Sequence, residues 1–425
     1  MNVSVVEVRM WGERVGAVAE DPRYRAYTFS YAPEWRKTGI ELAPRMMPLD
    51  SSQTAFVFPT LSRESFKGLP GLLADALPDD FGNALVNAWM ADKGIQRSDV
   101  TALDRLSYMA KRGLGALEFK PGQGPRSESK EPLQMGKLVE VARSAMQGNI
   151  GHDPHAKAAL AQMIRVGTSA PGARAKAVIA WNPKTHEIRS GQFDVDRGFE
   201  HWLLKFDGVG VDLELGTSLD YGRIEYAYHL MARAAKIEMS PCRLLEENGR
   251  AHFMTKRFDR DGNKKHHMQS LCAMEHLDFR QRATHAYSQL FMTIDALGLG
   301  PRAMEQAFRR MTFNVMARNC DDHTKNFNFL LKQGGRWGLS PAFDITHAHN
   351  PSGKWTAQHL MSVNGKFDGI TRADLLAEAD KYSIPRRKEI LDEVKDAVSR
   401  WESFAKRAGV RASEVRRVTA DFQVV

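Results

Sequence analysis

With 425 residues, 43% of them apolar and 26% charged, the chain has the composition of a globular protein of two or three domains, which excludes a disordered or fibrous class. No apolar run reaches the roughly 18 residues a membrane span needs, and the start lacks a basic stretch followed by an apolar one, so a cytoplasmic, membrane-free protein is expected. Three scattered cysteines (Cys242, Cys272, Cys320) exclude a disulfide framework, and the net charge of +9 favours polyanions such as nucleotides or nucleic acid without naming a partner.

In chain order, residues 3–11 and 15–19 read as strands around a turn at Gly12 and Glu13, and Tyr27, Phe29 and Tyr31 alternate along a third. Leu85, Val86 and Trp89 recur at helical spacing within 81–90. Residues 121–132, rich in Gly, Ser, Lys and Glu, are the best linker candidate. A loop of small residues, 166–176, runs into a strand at 177–181; such a loop brings backbone N–H groups near phosphates, although many such loops are only turns. An Asn182-Pro183 turn and a return strand near Ile188 follow. In the next strand, 199–206, alternation places His201, Leu203 and Lys205 on one face and Trp202, Leu204 and Phe206 on the other. A lysine in an apolar strand calls for an anionic partner or an exit to water.

A helix over 224–236 carries Glu225 near its start, and an Asn248-Gly249 turn marks a hairpin. From 255–260 onward the chain is expected to turn helical, including 285–297 and 303–317. Ile390, Leu391, Val394, Val398, Trp401 and Phe404 then share one face of a last long helix ending at Gly409.

Asp321 and Asn326 carry the chemistry. Asp, four residues, then Asn is the spacing of a kinase catalytic loop, in which the Asp orients the attacking hydroxyl and the Asn gives magnesium an uncharged oxygen. A second metal-binding Asp must follow, and Asp344 does, after an apolar strand at 327–331 and a Gly334-Gly335 turn. Asp and Asn also brace turns, so spacing alone leaves a structural role open. Asp321, Asp322, His323, Asp344, His347 and His349 also suit a metal-hydrolase cluster.

With loop, strand lysine and catalytic loop in this order, the chain resembles the HipA family of bacterial serine/threonine kinase toxins. Asp321-Asp322-His323-Thr324-Lys325-Asn326-Phe327 is similar to the family's Asp-Gly-His-Ala-Lys-Asn-Phe, and Leu339-Ser340-Pro341-Ala342-Phe343-Asp344-Ile345 to its Leu-Thr-Pro-Phe-Tyr-Asp-Ile. Gly172-Ala173-Arg174-Ala175-Lys176 resembles its phosphate loop, and Arg257-Phe258-Asp259-Arg260 its hinge. The resemblance implies an α+β, two-lobed protein-kinase-like fold: a β-rich subdomain over 1–120, a kinase N-lobe over 133–258 and a helical C-lobe over 259–425. It implies Asp321 as catalytic base and Asn326 and Asp344 as magnesium ligands. ATP would be held by Pro171, Gly172, Ala173, Arg174, Ala175, Lys176, Lys205, Lys256, Arg257, Phe258, His323, Lys325 and Phe343, and Ser169, beside Thr168, would be the autophosphorylation site. ATP and Mg2+ are the implied cofactors. The implied partners are a HipB-like DNA-binding antitoxin, through which DNA would be contacted, and a protein substrate that some members find among aminoacyl-tRNA synthetases. A small-molecule kinase, or a corepressor with little catalysis, remains the alternative on the same scaffold.

Pro171, Arg174-Ala175 and Asp322 depart from the family pattern. Asp322 adds a carboxylate beside the base, of no consequence in solvent but a strong perturbation if both were desolvated.

Overall fold

The computed structural model describes residues 3–125, 132–146, 175–209 and 220–425. The chain divides into two compact units, one of Met1–Gly210, Asp259–Asp278 and Leu330–Gly335, the other of Val211–Phe258, Phe279–Phe329 and Arg336–Val425.

In the first unit, β1 (Val5–Met10), β2 (Glu13–Asp21), β3 (Ala26–Tyr31), β4 (Ala55–Phe56) and β5 (Leu117–Lys120) form an antiparallel sheet in the order β4-β3-β2-β1-β5. Alternation sets its inner face: Val6, Val8 and Met10 of β1 and Phe29 and Tyr31 of β3 are buried. The helix Asp80–Ala91 starts where the Asp79 carboxylate accepts from Gly82 N at 2.7 Å, an N-cap, and it buries Leu85 and Val86.

The same unit contains β6 (Lys176–Trp181), β7 (Ile188–Ser190) and β8 (Glu200–Lys205), antiparallel in the order β7-β6-β8. The alternation expected of β8 is partly present: Trp202, Leu204 and Phe206 are buried on one face and Leu203 and Lys205 are half-buried on the other, where His201 is also buried, its Nδ1 3.1 Å from Gly191 O.

Residues after Asp259 do not turn helical as expected. They form two short paired strands, Arg260–Asp261 and Lys264–Lys265, then a strand, His267–Ser270. Local polar demands explain this: Asp259 accepts from Gly115 N and from Arg260, both at 2.7 Å, and His266 N returns to Asp259 O at 2.9 Å, a bond that closes a turn rather than a helix. The N-terminal residues grip this segment, with Asp75 accepting from Ser270 N (2.6 Å) and Ser270 Oγ (2.9 Å) and Gly71 N donating to His276 Nε2 (3.0 Å).

The second unit contains a hairpin, β9 (Cys242–Glu247) and β10 (Arg250–Lys256), whose Asn248-Gly249 turn has positive φ at both residues, the geometry that matches strand twist. The remainder is mainly helical. Tyr228 of the helix Tyr221–Ala234 is buried, its hydroxyl donating to Ala317 O at 2.6 Å and its ring meeting Trp401 at 5.3 Å. The expected long C-terminal helix is two, Arg387–Ser399 and Trp401–Ala408, parted at Arg400 (φ −94°, ψ 16°). The break lets Ile390, Leu391, Val394 and Val398 line one helix while Trp401 and Phe404 serve another, and Trp401 donates its indole N–H to Val415 O. Gly409, at φ 72°, ends the second helix as expected.

Gly222 shows how closely this unit is packed. A Cβ there would lie 1.9 Å from Ala251 O, a backbone atom that cannot step aside. Gly222→Ala is therefore expected to destabilise by about 1–3 kcal/mol in urea unfolding, reversing the gain of up to about 1 kcal/mol that the same change gives in an open helix.

Candidate active site

The catalytic-loop residues lie together in the second unit. The helix Gly300–Met316 ends at Ala317, and Cys320 N then donates to Ala348 O (2.9 Å) while Ala348 N donates to Arg318 O (3.1 Å). This bridge ties the entry to Asp321 directly to the chain that follows Asp344. Thr324–Asn326 closes a single 3-10 turn. Asn326 Nδ2 donates to Asp321 O at 2.8 Å, while Asn326 Oδ1 is buried and has no hydrogen-bond partner among the described residues. An amide oxygen desolvated and left unsatisfied is costly unless a ligand completes it, and a hard oxygen donor suits magnesium. Asn326 Oδ1 therefore fits the ion that the sequence motif implies.

Asp344 adopts φ 54°, a left-handed conformation that Asp tolerates better than most residues. The chain entering it is held from below: buried Arg310 donates to Ser340 O (2.6 Å), and Ala342 N donates to Glu238 O (2.7 Å). Burial lowers the Arg310 pKa to about 10, so the group remains charged at neutral pH. Phe343 meets Phe258 ring to ring at 5.8 Å, which brings together two of the residues assigned to ATP. Lys256 is half-buried and Arg257 buried beside them in sequence. His323 Nε2 is 3.9 Å from Asp321 Oδ1, its ring 5.5 Å from Phe279, and Lys325 Nζ lies 4.6 Å above that same Phe279 ring.

Asp322 is not solvent-facing. It is fully buried, and its carboxylate accepts from Tyr287 Oη (2.7 Å), His359 Nδ1 (2.9 Å) and Leu360 N (2.8 Å). Tyr287 Oη in turn accepts from Asn314 Nδ2 at 3.0 Å. Burial alone would depress the His359 pKa, but the Asp322 carboxylate overrides it and holds the imidazolium up to about 10. The added acid beside Asp321 is thus neutralised by a histidine that no sequence motif singled out.

The metal-hydrolase reading does not survive. Among the described residues no three His, Cys, Asp or Glu side chains form a metal-holding group. His347 Nε2 and His349 Nδ1 instead face Asp421, at 2.8 and 3.2 Å, and His349 Nε2 lies 2.6 Å from Arg318. Burial depresses both imidazoles; His347 Nε2 is taken by its hydrogen bond to Asp421 and His349 Nε2 by the one with Arg318.

The other residues of the expected phosphate loop and lysine strand lie in the first unit or outside the described residues. Ala175 and Lys176 are buried at the start of β6, and Lys205 ends β8 directly opposite Lys176. Pro171, Gly172, Ala173, Arg174, Ser169 and Thr168 lie outside the described residues. Glu225 is buried in the helix Tyr221–Ala234 of the second unit.

The chain matches the family model for the HipA-like C-terminal domain over residues 168–402 and that for the HipA N-terminal domain over 6–120. Among solved structures it is similar to the HipA of Shewanella oneidensis MR-1, determined with HipB and operator DNA, at 17% identity and a TM-score of 0.67, covering 98% of this chain and 95% of that one. A weaker likeness, 10% identical with a TM-score of 0.33, links 52% of the chain to 88% of the Helicobacter pylori proinflammatory kinase CtkA. No curated protein sequence is significantly similar. Among the described residues no helix is long and apolar enough to cross a membrane.

Replacing His359 by Gln strands the buried Asp322 charge, with an expected loss of about 3–5 kcal/mol in denaturant unfolding. Because the folded pKa lies above the ordinary 6.5, the stabilisation is complete below that value and disappears as pH rises through about 10. Wild-type stability should therefore fall across that alkaline window, and His359→Gln should lack this part of the slope.

Proposed function

The chain belongs to the HipA family, with the family's α+β, kinase-like fold, and from that premise we propose that it is an ATP- and magnesium-dependent protein serine/threonine kinase, the toxin of a toxin–antitoxin pair. The observation that carries this reading is the catalytic loop itself. Asn326 is tied through its amide nitrogen to Asp321 O, which leaves its buried amide oxygen for a metal ion.

In this proposal Asp321 orients the acceptor hydroxyl and takes its proton. Asn326 and Asp344 would hold magnesium, which supplies charge neutralisation on the transferring phosphoryl group. Lys205 would hold the α- and β-phosphates, the loop at 171–176 would cradle them, and Phe258 and Phe343 would bound the base with help from Lys256, Arg257, His323 and Lys325. Phosphorylation of Ser169 would switch the kinase off, because a phosphoserine cannot share a cavity with the ATP phosphates without strong repulsion. The Shewanella protein's complex with HipB and operator DNA supports a HipB-like antitoxin as partner here, with DNA contacted through that complex.

Asp321→Asn is expected to lower phosphotransfer from labelled ATP by at least about 1000-fold with unchanged melting temperature. Near-wild-type transfer by that variant would remove Asp321 as base. Mass spectrometry of residues 166–176 after incubation with ATP and magnesium should find phosphate on Ser169 in the wild type and none in Asp321→Asn.

A further inference from the structure

Lys176 and Lys205 are direct cross-strand partners in the β6–β8 ladder, so their side chains leave the same face of the sheet. Cα atoms of such a pair lie about 5 Å apart, close enough for two ammonium groups to repel one another. The two lysines differ sharply in surroundings. Lys205 is half-buried, whereas Lys176 is 1% exposed, with its Nζ 3.5 Å from Asp79 Oδ2.

Asp79 lies in the N-terminal domain, outside the span of the HipA-like C-terminal domain at 168–402. Its other oxygen, Oδ1, caps the helix Asp80–Ala91 through Gly82 N at 2.7 Å, which fixes the carboxylate in place. Burial pushes Asp79 up to about 6, against the downward pull of the nearby Lys176 ammonium. Under the kinase proposal both lysines turn toward the nucleotide's phosphates, Lys205 directly and Lys176 at the end of the 171–176 loop, yet of the two Lys176 is the fully buried one, with its ammonium close to the Asp79 carboxylate.

Building on that kinase reading, we propose that Asp79 is a positioning residue of the nucleotide site: the N-terminal domain supplies a fixed carboxylate that offsets Lys176 and so sets the net charge Lys205 presents to ATP. The pair acts through charge, and this gives its two halves opposite effects. Asp79→Asn raises the positive charge on the Lys205 face by one and strengthens its hold on anionic phosphates. Lys176→Met leaves the Asp79 carboxylate in excess, where it competes with phosphate for Lys205. A purely structural tie would make both changes harmful in the same direction.

The test is equilibrium binding of ATP and ADP with magnesium, together with steady-state phosphotransfer, on the full-length chain and its variants. Asp79→Asn should bind ATP and ADP at least about fivefold more tightly, with KM and kcat falling together as ADP leaves more slowly, and Lys176→Met should bind about fivefold more weakly. The double variant Asp79→Asn/Lys176→Met should return to within about twofold of wild type. Weakening in both single variants, or no change in either, overturns the inference while leaving the kinase reading intact. Absence of ATP binding by the wild type overturns both. Should Asp79→Asn not fold, Lys176→Met and the double variant still decide the matter, since a double variant as weak as Lys176→Met removes the charge argument.

Discussion

A carboxylate with no access to water dictates how the second unit of this protein is arranged. Asp322 is fully buried, and an ionised group there is tolerable only when its lone pairs are satisfied and its charge is met. Tyr287, His359 and the Leu360 amide do this from two separate stretches of chain. Satisfying Asp322 therefore fixes the backbone next to the residue before it, Asp321, whose side chain is half-buried. The same logic extends outward through Asn314 and Asn319, whose amides link the end of the helix Gly300–Met316 to Tyr287.

Buried charge is managed similarly elsewhere. Arg310 gives its buried guanidinium to the carbonyl of Ser340 and steadies the approach to Asp344, and Arg309, the residue before it, meets Glu393 of the helix Arg387–Ser399 at 2.5 Å. In the first unit Lys176 faces Asp79. These pairs contribute little net stability relative to apolar packing of the same volume, but each forbids alternative placements, because separating the partners leaves an uncompensated charge in a medium of low polarity.

The C-terminal residues belong to the same scheme. Phe422 packs near Trp401, Gln423 N donates to Met316 O, and Asp421 receives His347 and His349. The two histidines follow Asp344 closely in sequence, where carboxylates and imidazoles suggest metal ligation. Their ring nitrogens are used to fasten the last helix, Ala412–Asp421, to the segment after Asp344. The break at Arg400 is part of this arrangement, since the Trp401 indole bonds to Val415 within that last helix.

What the sequence determined by itself was local. Alternation set the strands β1 to β3 and β8, the Asn248-Gly249 turn set its hairpin, and the Asp321, Asn326 and Asp344 spacing marked the segment proposed as catalytic, because each of these depends on neighbours within a few residues or on a motif that the chemistry fixes. The HipA resemblance rested on the same short segments. Tertiary structure decided the rest: that Asp322 is buried and answered by His359, that Lys176 faces Asp79, that residues after Asp259 pair as strands, and that His347 and His349 serve Asp421 rather than a metal. Each of these joins residues that are remote in sequence, such as 79 with 176 or 347 with 421. No periodicity records such a partnership, because desolvation and ion pairing act through space and exist only once the chain has closed around them.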